Sequence, residues 1–160
     1  MNVAAALSSI VVDNFRGDFE GLSDDMIATW SENRQQPLLY TPEYLRSMLQ
    51  QPGASLDFAP ALYDRTQLVA FAAGFVRTVS WRGRTNRLLL GSFATVSRQY
   101  RGHRLGRRAW HELAVRGEQF GLSGLLGYCV EGDRMDAILP AYSRSCGMDT
   151  ECIFQVTYVA

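Results

Sequence analysis

The 160-residue chain lacks a net charge, its sixteen basic side chains being matched by sixteen acidic ones. Nothing in the field of the whole molecule drives it toward DNA, RNA or an anionic membrane, so any basic site must be local. Histidine and cysteine are scarce. The two histidines, His103 and His111, stand apart from Cys129, Cys146 and Cys152, and those three cysteines form an odd set without close pairing. Neither a disulfide framework nor a zinc site follows; no metal is expected, and a reducing cytoplasm is the natural compartment. A long apolar run is missing too. The stretch "VAAALSSIVV" has no basic region before it, is too short to span a bilayer and ends at Asp13, so it reads as a strand or helix of the domain and not as a signal or anchor. With no internal repeat or low-complexity tract, residues 1–160 are expected to form a single domain.

What is present is apolar material for one sizeable core, since 47% of the residues are hydrophobic. In "GLSDDMIATWSENRQQ", Ser23 is a candidate cap, Asp24 and Asp25 suit the positive end of a helix dipole, and Leu22 with Ile27 has staple spacing. In "YTPEYLRSMLQQPG", Thr41 caps, Pro42 fits the first helical position, Tyr40 pairs with Leu45, and Pro52 with Gly53 ends the element. The period then changes. "LDFAPALYD", "QLVAFAAGFVRTVSW" and "RTNRLLLGSFATV" predict an antiparallel meander turning at "DRTQ" and "RGRT". Pro60 points to an edge strand or a bulge, and Gly91 to a bulge or a close backbone approach.

Positions 105, 109, 110, 113, 114, 117 and 120 form one apolar stripe, which predicts a helix ending near Gly121. "GLLGYCV" reads as a short buried strand pairing in parallel, followed by a helix over 133–146 that Pro140 interrupts, and "ECIFQVTYVA" as a last strand. The fold class is therefore α+β: a mixed, mostly antiparallel twisted sheet with helices on both faces. Its order is strand, helix, helix, three-strand meander, helix, strand, helix, strand.

Between the meander and the apolar stripe lies "SRQYRGHRLGRRAWHEL", in which Gly102 and Gly106 stand among Arg98, Arg101, Arg104, Arg107 and Arg108. A helix start with unpartnered N–H groups, small residues and guanidinium forks suits a ligand with several phosphate charges. A solvated loop shaped by its glycines is the alternative. Neither the P-loop Lys-Ser/Thr pair nor the three-glycine dinucleotide fingerprint is present.

"TVSRQYRGHRLGRRAWHEL" resembles the acyl-CoA-binding segment of the GCN5-related N-acetyltransferases, whose signature is Gln or Arg, two residues, Gly, one residue, then Gly or Ala. Arg101 matches the first position and Gly106 the last, while Arg104 replaces the middle glycine. The order of elements and the later "SCGM" extend the resemblance over most of the chain. It implies an acyl-CoA N-acyltransferase-like fold and a cofactor, acetyl-CoA or another acyl-CoA. The pyrophosphate would lie on the segment Gly102, His103, Arg104, Leu105, Gly106 and Arg107, and the pantetheine arm would pair with Ala94 and Val96. Arg104 can donate its N–H provided its conformation needs no positive φ; a positive φ there, or a side chain that blocks the helix start, is expected to impair the cofactor site and to favour a non-catalytic domain. The implied activity is N-acyl transfer, most simply N-acetylation, by direct attack of an amine in a ternary complex.

The resemblance also implies an oxyanion donor on the signature strand and an acid near the sulfur, for which Tyr142 is the candidate, the alternative being an aromatic that packs its helix on the sheet. Glu131 and Asp133 are candidates for a base; strand-end caps are the alternative. Cys129 reads as a buried small hydrophobe and not as an acyl carrier. The acceptor is expected to be a small-molecule or protein amine, with no nucleic-acid or membrane partner. Because members commonly finish with two strands after the last helix, one final strand is expected to be missing or supplied by a homodimer partner or a tandem second domain. The competing reading is a non-catalytic acyl-CoA-binding domain of the same fold, a sensor or the inactive half of a tandem protein.

Overall fold

A computed structural model describes residues 9–31, 40–81 and 83–126. The chain enters as strand β1 (Ile10–Asn14), followed by helix α1 (Phe19–Ser31) and helix α2 (Pro42–Met48). A 3-10 turn at Leu56–Phe58 leads into the meander β2 (Pro60–Asp64), β3 (Gln67–Trp81) and β4 (Arg84–Val96), then come a second 3-10 turn (Arg98–Tyr100), helix α3 (Leu105–Gln119) and strand β5 (Leu125–Leu126). The sheet order is β1-β2-β3-β4-β5, antiparallel throughout except for β5, which runs parallel to β4. The α+β class, the strand-helix-helix-meander-helix-strand order and the parallel pairing of "GLLGYCV" hold over these residues. No described helix is long and apolar enough to cross a membrane. The expected helix over 133–146, the last strand and all three cysteines lie outside the described residues.

Local signals place most elements and misplace a few. Thr41 caps α2 as expected, its hydroxyl accepting the Tyr44 N–H at 3.2 Å. α1 starts five residues earlier than Ser23 implied. The Gly21 N–H donates to the Asp18 carboxylate at 3.0 Å, which makes Asp18 the capping side chain, and Ser23 lies buried inside the helix. Ile27 is 38% exposed and staples nothing to the core. The segment at Leu56 is a 3-10 turn capped by Ser55 and not strand, because Asp57 N–H bonds back to Ser55 Oγ. Pro60 is the first residue of β2, where its missing N–H costs no ladder bond, and β2 is an inner strand paired on both sides. At the far end of α3, Phe120 leaves the apolar stripe and is 55% exposed, since the helix stops at Gln119. Gly121 (φ 69) sits just beyond. Its N–H bonds Glu118 O and the next N–H bonds Gly117 O, satisfying the last turn.

Two bulges set which side chains face which helix. In the β2–β3 register Leu62 opposes Ala70 but Tyr63 opposes Leu68, so Val69 is the extra residue and joins Ala70 on the α3 face. In β4 the extra residue is Ser92, because Ala73 opposes Phe93 while Gly74 opposes Gly91. That insertion switches the parity of the strand. Leu89 before it and Ala94 and Val96 after it share the α3 side, packed with Leu105, Ala109 and Leu113. Phe93 turns to the opposite side, where Leu22, Met26 and Leu45 of α1 and α2 cover Phe71 and Phe75. Gly91 meets both expectations for it: it adjoins the bulge, and a methyl group there would collide with the Trp110 ring.

Candidate functional site

The end of β4, the 3-10 turn and the start of α3 enclose a cavity of about 410 Å³ lined by Val96, Tyr100, Arg101, Gly102, Arg104, Leu105, Gly106 and Arg107. Seven of the nine expected cofactor residues come together there. Ala94 and His103 are not in the lining, His103 being exposed at the outer side of the turn. Arg98 and Arg108 are exposed nearby but outside it. Val96 and the buried Tyr100 and Leu105 are the apolar part of its lining, and among the described lining residues the charged ones are Arg101, Arg104 and Arg107.

The helix start behind this cavity is unusual. The first intrahelical bond runs from Arg108 N–H to Arg104 O, so the N–H groups of Leu105, Gly106 and Arg107 precede the ladder, and the side chain of the N-cap residue Arg104 makes no hydrogen bond to them. No acidic residue lies in the first turn. Each cation at the positive end of a helix dipole is unfavourable by about 0.3–1 kcal/mol, and Arg104, Arg107 and Arg108 all stand at the start of α3. The chain contains no lysine, and all sixteen of its cationic side chains are arginines, whose planar forks suit phosphate.

Arg104 corrects an expectation. Its φ is 62 and its ψ 16, the left-handed conformation that glycine adopts freely and an L residue only at a cost of about 1–2 kcal/mol. The backbone therefore takes at Arg104 the shape that the signature glycine would give, and the arginine side chain is carried outward to solvent at the cavity's rim. Gly102 (φ 83) supplies the preceding left-handed residue, with open space where a Cβ would be.

The strand side is defined by hydrogen-bond phase. Ser97 N–H donates to Val69 O at 3.0 Å, which makes this a hydrogen-bonded pair; two residues back Thr95 also aims its backbone at β3, and Ala94 and Val96 aim theirs the other way. On that outer side Val96 O accepts the Arg101 Nε–H at 3.2 Å. The same guanidinium reaches α1, where Nη2 donates to Thr29 Oγ1 at 3.2 Å. Asp25, one turn earlier on α1, bonds the Ser97 hydroxyl; burial raises its carboxyl above the usual value, against the lowering effect of Ser97 and of the Arg101 charge.

Solved structures share this architecture. The glucosamine-6-phosphate N-acetyltransferase of Arabidopsis thaliana is similar over 94% of this chain and 99% of its own, with a TM-score of 0.64 and 12% identity. An aminoglycoside acetyltransferase from an uncultured soil metagenomic sample is similar over 96% of this chain and 97% of its own, with a TM-score of 0.65 and 14% identity. The fold is that of the GCN5-related N-acetyltransferases. The N-myristoyltransferase of Saccharomyces cerevisiae, solved with bound myristoyl-CoA, shares the acyltransferase fold over 75% of this chain and 30% of its own, with a TM-score of 0.65 and 23% identity. No protein-family model and no curated protein matches the sequence.

Within this fold, the candidate catalytic residues Tyr142 and Glu131, with Asp133, lie outside the described residues. No sequence pattern singles out Tyr100, Thr29 or Thr95, and the sequence marks Asp25 only as an acidic residue at a helix start. Tyr100 forms part of the lining because its hydroxyl is anchored to Asp64 at 2.7 Å, thirty-six residues away.

Proposed function

We propose that this protein is an acyl-CoA-dependent N-acyltransferase, with acetyl-CoA as the first acyl donor to test and an amine as acceptor. The observation that carries the proposal is the start of α3: a left-handed Arg104 in the place of the signature glycine, making no side-chain cap hydrogen bond, and Arg101, Arg104 and Arg107 among the described residues that line the cavity. This donor set fits a pyrophosphate. Gly102 to Arg107 would hold it mainly through backbone N–H groups, with Arg101, Arg104 and Arg107 as supporting charge. The outward-facing backbone edge at Ala94 and Val96 is suited to an extended amide-bearing arm. The solved structures named above support the same choice, since their names describe acetyl and myristoyl transfer.

When bound, acyl-CoA would supply an acyl group activated as a thioester, to be transferred to an amine with formation of the amide C–N bond, cleavage of the C–S bond and release of the thiol. The chain's own part is to orient donor and acceptor and to move protons. In this proposal Tyr142 delivers a proton at the leaving sulfur, and Glu131 accepts the amine proton directly or through water.

Unfolding with and without acetyl-CoA is the first test, because ligand at about a hundred times its dissociation constant adds roughly 2.7 kcal/mol. A thiol-release assay against a panel of small amines and peptide amines is the second, with Tyr142→Phe and Glu131→Gln expected to slow release. Absence of any shift at millimolar acetyl-CoA overturns the proposal. Binding without turnover on any amine turns it into the non-catalytic acyl-CoA-binding reading.

A further inference from the structure

One cation of the cavity, Arg101, is tied to the helix on the other face of the sheet, and counting protons gives that tie a direction. Thr95 Oγ1 donates to Asp25 O at 2.9 Å, which uses its single hydrogen. Thr29 Oγ1 lies 2.6 Å from Thr95 Oγ1, so in this pair Thr29 must be the donor and Thr95 the acceptor. The hydrogen of Thr29 is thereby committed, and its oxygen accepts the Arg101 Nη2–H at 3.2 Å. A one-way chain results: Arg101 to Thr29, Thr29 to Thr95, Thr95 to a main-chain carbonyl of α1. Together with the bond from Nε to Val96 O it grips the guanidinium at two points.

We propose that Thr29 and Thr95 are positioning residues that hold the Arg101 guanidinium against the cavity for the phosphate end of its ligand. The inference rests on the acyl-CoA reading. A long arginine left to its rotamers would surrender much of its binding energy to ordering, and the threonine chain does that ordering in the free protein. Because α1 supplies both Thr29 and the Asp25 carbonyl, the grip depends on tertiary contact between α1 and β4 and not on the signature loop alone.

The experiment compares wild type, Thr29→Val, Thr29→Ser and Arg101→Ala for binding of CoA and of S-acetylpantetheine, which lacks the nucleotide phosphates. Thr29→Val keeps the shape and removes the hydroxyl. It is expected to weaken CoA about tenfold, the scale of one charge-assisted hydrogen bond, to leave S-acetylpantetheine unchanged, and to be rescued by Thr29→Ser. In the Arg101→Ala background Thr29→Val is expected to add nothing, which a merely structural role would not produce. An independent readout is the Arg101 Nε–H resonance of the ligand-free protein, expected to exchange slowly with water and to lose that protection in Thr29→Val. Wild type that binds CoA with Thr29→Val unchanged, or equal losses in both backgrounds, overturns this inference and leaves the proposed function standing. Wild type that binds no CoA overturns the proposed function and this ligand assignment with it, while an unprotected Nε–H in wild type overturns the grip itself.

Discussion

Replacing Arg104 separates what the signature loop does with its backbone from what it does with its charge. At φ 62 and ψ 16 the residue caps α3 without a side-chain hydrogen bond, and its guanidinium is exposed. Left-handed backbone costs an L residue about 1–2 kcal/mol. Glycine removes that cost but adds unfolded-state entropy of about 0.5–1 kcal/mol, so Arg104→Gly is expected to stabilise the protein by about 0.5–1 kcal/mol. Arg104→Ala loses the same charge but keeps the Cβ and is a poor cap, so the glycine variant should be the more stable of the two by about 1 kcal/mol. For a chain of this length that difference is a melting shift of about 2–4 °C. Urea unfolding at fixed pH and ionic strength measures it. Arg65, at φ 57 in the turn between β2 and β3, is an internal control: Arg65→Gly should give a similar gain and no change in CoA affinity. In calorimetry, Arg104→Gly should weaken CoA by no more than about fivefold, the scale of one exposed charge. Equal or greater stability of Arg104→Ala would refute the strain argument. A loss of CoA affinity far beyond fivefold in Arg104→Gly would refute the backbone cradle and give the main duty to the side chain.

Two further perturbations test the framework that holds the site. Gly91→Ala places a methyl group in the Trp110 ring and is expected to destabilise by about 1–3 kcal/mol, with Trp110→Phe recovering part of the loss in a double-mutant unfolding cycle; full additivity would show that the two residues do not meet. For Asp25 the sign follows from its raised carboxyl pKa, caused first by burial. The folded state holds that proton more tightly than the unfolded state. Its stabilising contribution is therefore complete below the ordinary aspartate value and is lost as pH rises through the raised folded value. Relative to Asp25→Asn, wild type should lose stability from about pH 4 toward neutrality, and a relative gain over that range in urea titrations would contradict the assignment.

The helices α2 and α3 were legible because their signals are local: Thr41 and Pro42 at a start, a period of 3.6 in apolar residues, Gly121 just past an end. Periodicity misled only where tertiary packing decided the boundary. Ser23 and Asp18 are both chemically good caps, and the choice fell to Asp18 because Ser23 is buried where its hydroxyl bonds Tyr40 O. "LDF" carries strand-like residues, yet Ser55 turns it into a 3-10 cap.

By itself, the sequence determined the class of fold and pointed to the segment proposed to meet phosphate, since a strand, a glycine-bearing arginine turn and an amphipathic helix are read within residues 84–120. The tertiary structure decided the rest. Only folding could show that Arg104 lies at positive φ, next to Leu105 buried in the core, because nothing in an arginine itself favours that conformation. Folding alone also brought Tyr100 to Asp64 and Arg101 to Thr29, pairs separated by 36 and 72 residues. Each such pair is decided by which element packs on which face of the sheet, and no spacing along the chain encodes it.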